Sequence, residues 1–212
     1  MHNSKQLGTL FKTGCFATGI ISIAIGSISA NSDAPFAHCN TPEIDASVPS
    51  SIAFTLQNHF GQRLSEKDVI TEPTLVYFGY TYCPDICPMD TARNAETIDL
   101  LQDAGHSVTP VFITVDPERD SVDDLADYAL NNHEKMIGLT GSAEDVAAAI
   151  RNYDVYAFRQ DPVDGDDTYF INHSAFTYLV LPDRGHVATF ERGLTADELA
   201  PQVACYLDAA LS

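Results

Sequence analysis

Residues 74–88 read TLVYFGYTYCPDICP. The first seven, Thr74 to Tyr80, form a near-continuous apolar, β-prone run, the pattern of a strand buried on both faces of a sheet. Pro88 suits the first turn of a helix, and beyond it Ala92, Ala95, Ile98 and Leu101 recur at helical spacing through Gln102 until Gly105 ends the pattern. The order is strand, loop, helix, with two cysteines displayed on the loop.

Outward from this unit the alternation continues. Val108 to Val115 (VTPVFITV) is a second buried strand, interrupted early by Pro110. Ser121 to Leu130 reads as a helix capped by Ser121, and residues 142–152 as another capped by Ser142. Strands joined through helices imply parallel crossovers. Upstream, Ile52, Phe54 and Leu56 alternate with smaller or polar residues as in a half-buried strand. Downstream, Val155 to Phe158 is a short strand. Asp161 to Asp167 holds four aspartates with Pro162 and Gly165, a polar turn at a hairpin tip leading to Tyr169, Phe170 and Ile171. Phe176–Leu181 and His186–Phe190 flank a turn at 182–185, and Ala196 to Leu211 is a closing amphipathic helix. The pattern predicts an α/β fold: a central mixed sheet flanked by helices, with a C-terminal hairpin and last helix. The thioredoxin-like fold is one architecture with this arrangement.

The 212 residues suit one globular domain with appendages. Lys5 and Lys12 precede an apolar run, Gly14 to Ile28, followed by Ser29 and Ala30, so residues 1–30 read as a signal peptide or N-terminal membrane anchor. Lys12, three residues before Cys15, argues against lipidation there. Residues 31–50, with Pro35, Pro42 and Pro49, read as an extended tether, and residues 51–212 as the domain. Export puts the domain in the periplasm, or facing it from the inner membrane. Thirty acidic residues against eleven Lys and Arg give a formal charge of −19, which repels phosphate backbones and counts against nucleic acid as a partner.

Cys83 and Cys87 lie on a strand-to-helix loop, where backbone amides lower thiol pKa values. Their spacing serves either a redox disulfide or shared metal coordination. The residue that discriminates is His173, in Ile171-Asn172-His173-Ser174, at the turn into the C-terminal hairpin. In a thioredoxin-type fold this turn lies beside the cysteine loop, and oxidoreductases carry a cis proline there. Here there is none. Two thiolates and one imidazole suit copper in either oxidation state, whereas structural zinc would require a fourth ligand, for which Asp85 is the nearest candidate.

YFGYTYCPDICP at 77–88, VDPERD at 115–120, IGLTG at 137–141 and NHSAF at 172–176 together resemble the Sco (SenC) copper proteins across about residues 50–210. The resemblance implies a thioredoxin-like fold and copper, Cu(I) or Cu(II), held by Cys83, Cys87 and His173. It also implies a role in assembling the dinuclear copper centre of cytochrome c oxidase, with that oxidase's copper-bearing subunit as recipient and another copper chaperone as donor. Many relatives have a histidine immediately before the first cysteine; this chain has Tyr82.

The rival reading is a thiol:disulfide oxidoreductase acting on the cysteines of the oxidase copper site, with a Cys83–Cys87 disulfide in the metal-free form. A peroxiredoxin-like peroxidase would explain the cysteine loop but leave His173 without a role. Asp116 and Asp120 fit either a supporting role at the site or capping of the next helix with local pairing to Arg119. Cys39 and Cys205 are expected to form a bridge pinning the N-terminal arm to the last helix. His38, His59, His106, His133 and His186 are read as surface residues, although His38 stands beside Cys39, and Met89 is read as core.

Overall fold

The computed structural model describes residues 36, 38, 39, 52–160 and 168–211, which fall within one compact unit, Asp33–Ser212. The leader, most of the tether and the acidic turn at 161–167 lie outside the described residues. In chain order the elements are β1 Thr55–Asn58, β2 Arg63–Ser65, α1 Glu66–Val69, β3 Thr74–Gly79, α2 Ile86–Asp103, β4 Thr109–Thr114 and α3 Val122–Asn132. They continue with β5 Ile137–Thr140, α4 Ala143–Asn152, β6 Ala157–Gln160, β7 Phe170–His173, β8 Thr177–Leu181, β9 Gly185–Phe190 and α5 Ala196–Leu211.

The apolar runs become the middle of a seven-stranded sheet ordered β2-β1-β5-β4-β3-β8-β9. β3 pairs parallel with β4 and antiparallel with β8, and all six of its residues are buried. Such burial requires helices on both faces, and it explains why this strand shows no polar alternation. Pro110 is tolerated because the β4–β5 ladder begins only at Val111, so no hydrogen bond is demanded of the residue that cannot donate one. The expected caps form: the Ser121 side chain accepts from Asp124 N–H, and that of Ser142 from Asp145 N–H. α2 stops where Gly105 takes a φ of 91°, a conformation glycine adopts without strain. No helix among the described residues is long and apolar enough to cross a membrane.

Two core clusters result. One, around Phe78, Phe112, Tyr153 and Tyr178, includes Cys87. The other packs α5 against Leu75, Ile98, Leu101 and Phe190 and includes Cys39. Phe36 rests on Tyr206 with ring centroids 5.1 Å apart, and Cys39 is disulfide-bonded to Cys205 with Cα atoms 5.7 Å apart. Phe36 and Cys39 thus belong to the packed domain.

Three sequence readings need correction. Met89 is 61% exposed, and Ala92 is exposed too. The first half of α2 turns Cys87, Asp90, Thr91 and Asn94 inward, a polar face that apolar periodicity does not detect. It is held by hydrogen bonds from Arg93 to Asn94 and Thr177, and from the Thr177 hydroxyl to Asn94. His186 is buried, its Nε2 2.9 Å from the Thr189 hydroxyl and its ring against Tyr178. β2, α1 and β5 were not legible as separate elements, because each is only three or four residues long.

Gly79 ends β3 at a close approach. A Cβ there would lie 2.9 Å from Phe112 Cε2, 3.0 Å from Tyr77 Cε1 and 3.1 Å from Cys87 Sγ. Overpacking of this kind costs about 1–3 kcal/mol. Gly79→Ala should therefore lower the urea midpoint correspondingly, and an unchanged midpoint would show that the rings and the sulfur give way freely.

Candidate metal centre

The loop after β3 places Cys83 two residues before the helix cap Asp85, and Cys87 within the first turn of α2. The free N–H groups of a first turn point toward the loop, and Cys87 N–H donates to Cys83 Sγ at 3.4 Å. The Cys83 thiol is held down to about 3, first by the hydrogen bond from the Cys87 thiol; His173 and the Cys87 and Asp85 amides reinforce this against the opposing effect of burial. Cys87 moves the other way, raised by its neighbour Cys83 and by burial. The two thiols titrate as a pair, the charge on one opposing the charge on the other. The two sulfurs are not bonded to each other.

His173 arrives on the last residue of β7, part of a separate two-stranded sheet in which it pairs with Ala157. Its Nε2 lies 3.2 Å from Cys87 Sγ, and its Nδ1 is 3.0 Å from the Ser174 carbonyl oxygen. A carbonyl can only accept, so Nδ1 carries a proton and Nε2 is the ring nitrogen that faces the sulfurs. The imidazole is flanked by Tyr77 and Tyr80, both edge-on at about 6 Å. Tyr77 donates to buried Asp90, and Tyr80 accepts from Ile171 N–H. Burial pushes the Tyr80 hydroxyl up to about 12, so it stays neutral beside the sulfurs.

The VDPERD stretch holds the two sides together. Asp120 accepts from the Thr81 N–H (3.0 Å) and hydroxyl (2.7 Å), and from the Thr114 hydroxyl (2.6 Å). It therefore fixes the loop two residues before Cys83 and leaves capping of α3 to Ser121. Asp116 accepts from Arg119 and from the Tyr169 hydroxyl. The Arg119 guanidinium lies 3.6 Å from the Tyr169 ring centroid and donates to its carbonyl, tying the β6–β7 ribbon to the end of β4.

Among the described residues, one donor atom each from Cys83, Cys87 and His173 lies within 4.8 Å of the others. Cys83 and His173 line a cleft of about 290 Å³ that also reaches Pro84, Phe170 and Asn172, while Cys87 lies buried behind them. Asp85 is exposed and lies outside this donor group. Two sulfurs and an imidazole with no carboxylate favour a soft ion over calcium or magnesium. The enclosing tyrosines and the Arg119 stack were not identified in the sequence as parts of the site. The aromatic residues at 77, 80 and 82 were the available signal, but they read equally as strand formers.

Comparisons with known proteins agree with this geometry. The SCO1/SenC family model matches residues 44–208. Protein SenC of Rhodobacter capsulatus is 41% identical over 198 residues, covering 91% of this chain and 89% of SenC. The chain spans about half the length of mitochondrial relatives from Arabidopsis thaliana and Danio rerio, which are 39% and 40% identical. The crystal structure of Arabidopsis thaliana ScoI with copper bound superposes with a TM-score of 0.71 at 37% identity, covering 74% of this chain and 99% of that one. BsSco, described as a member of the Sco family of cytochrome c oxidase assembly proteins, superposes at 0.57 with 26% identity, covering 76% of this chain and 93% of its own. The fold is thioredoxin-like, and the chain belongs to the SCO1/SenC family.

Proposed function

We propose that the domain binds one copper ion through Cys83, Cys87 and His173 and delivers it to the dinuclear copper centre on the copper-bearing subunit of cytochrome c oxidase. The observation that carries this reading is the convergence of two sulfurs and an imidazole nitrogen, with the imidazole on the β6–β7 ribbon and the cysteines on the loop and helix that follow β3. Thiol exchange alone has no need of such a histidine. Copper is cargo here: it passes to the recipient by stepwise exchange of ligands, with no substrate turnover. Within this reading, residues 1–30 export or anchor the chain with the domain facing the periplasm, and a second copper chaperone acts as donor. The metal-free pair closes to a Cys83–Cys87 disulfide on oxidation, which blocks loading until it is reduced.

The test is copper stoichiometry with absorption spectroscopy on the chain with Cys83 and Cys87 reduced and the Cys39–Cys205 bridge intact. One copper per chain with a thiolate-to-copper charge-transfer band is expected for Cu(II), and both should vanish when Cys83 or Cys87 is replaced by serine. A chain that takes no copper but exchanges a Cys83–Cys87 disulfide rapidly would be an oxidoreductase.

A further inference from the structure

A second group of soft donors lies in the other core cluster. One ring nitrogen of His38 and the sulfurs of Cys39 and Cys205 fall within 4.8 Å of one another. No carboxylate belongs to the group, and its composition repeats that of the first centre, two sulfurs and one imidazole. The two differ in state: Cys83 and Cys87 are thiols, whereas Cys39 and Cys205 are joined. Sulfur in a disulfide has no thiolate to offer a metal, so the second group can bind an ion only after reduction.

The surroundings keep the donors in place when the bond opens. Phe36 packs on Tyr206, and the Arg184 guanidinium lies 5.5 Å from the Phe36 ring centroid. The Cys39 N–H donates to the Phe36 carbonyl at 3.0 Å, closing a turn that fixes Cys39 relative to the packed ring. Cys205 is held by α5, whose Val203, Tyr206 and Leu207 are buried around it. The arm is therefore attached through the Phe36 ring as well as by the disulfide. His38 is exposed, so a ligand can reach the group from solvent.

We propose that His38, Cys39 and Cys205 form a second, redox-gated site for cuprous ion. A dithiol reductant transfers two electrons and two protons to the disulfide, giving two protein thiols and the reductant's own disulfide. Cuprous ion then displaces both thiol protons and takes the His38 lone pair as its third ligand. The site rests on residues separate from the proposed copper centre, and it stands or falls independently of that centre.

The test uses the full chain with Cys15, Cys83 and Cys87 replaced by serine, which leaves Cys39 and Cys205 as its two cysteines. It is reduced with dithiothreitol, desalted without oxygen and offered cuprous bicinchoninate. The reduced chain is expected to withdraw one copper per chain while the oxidised chain withdraws none. His38→Ala should weaken uptake by the reduced chain by about tenfold or more. The proposal is overturned if the reduced chain keeps its circular dichroism but takes no copper, if uptake is indifferent to His38→Ala, or if reduction alone unfolds the domain.

Discussion

His173→Ala is expected to reduce tight copper binding by the Cys83, Cys87 and His173 centre by more than about 100-fold, since even residues that only orient a ligand cost about 10–100-fold when lost. The fold should hardly register the change. His173 ends a short ribbon, is partly exposed, and has one side-chain hydrogen bond to Cys87 and one to its neighbour's carbonyl besides edge contacts with Tyr77 and Tyr80. Such a truncation falls at the low end of about 0.5–3 kcal/mol. Thiol chemistry should also survive, because the acidity of Cys83 comes first from the Cys87 thiol and only in part from the imidazole. The variant thus separates metal binding from disulfide exchange. Stoichiometric copper with an unaltered charge-transfer band in His173→Ala would remove the histidine from the centre. Parallel loss of copper binding and exchange would make it a general support for the cysteine loop.

The joint variant Cys39→Ser with Cys205→Ser should lose about 2–5 kcal/mol of stability, the usual cost of removing a native bridge. The upper part of that range is expected because the bridge spans 166 residues, so it restricts nearly the whole unfolded domain. A domain with about 5–15 kcal/mol in hand remains folded at moderate temperature after such a loss. The measurement is a denaturant titration of the variant against the oxidised wild type. A difference below about 0.5 kcal/mol would mean that Phe36 on Tyr206 already supplies most of the attachment.

The sequence revealed the fold most clearly where periodicity and chemistry coincide. The β3 run, the serine caps of α3 and α4, and the hairpin of β8 and β9 could each be read because a local physical rule dictates them. The convergence of Cys83, Cys87 and His173 was legible for a different reason: these residue types have few other uses in such positions. The reading failed where burial is polar or depends on long-range packing. The inner face of α2 carries Asp90, Thr91, Asn94 and Thr97 in place of an apolar stripe, so Ala92 and Met89 looked better core candidates than they are. His186 is buried because the β8–β9 register sets it beside Tyr178 and Thr189, which no local pattern records. Arg119 gave no hint that its partner lay fifty residues away at Tyr169.

The imidazole stands on the β6–β7 ribbon, whose hydrogen-bond ladder is separate from that of the sheet whose β3 leads into the cysteine loop. The gap between imidazole and sulfurs is therefore set by noncovalent contacts: Tyr77 and Tyr80 against the ring, and Arg119 against Tyr169. Adjusting those contacts changes the reach of His173 while every donor stays the same. On the proposed function, copper affinity is thus a trait that drift and selection can retune gradually, through substitutions at positions that never touch the ion.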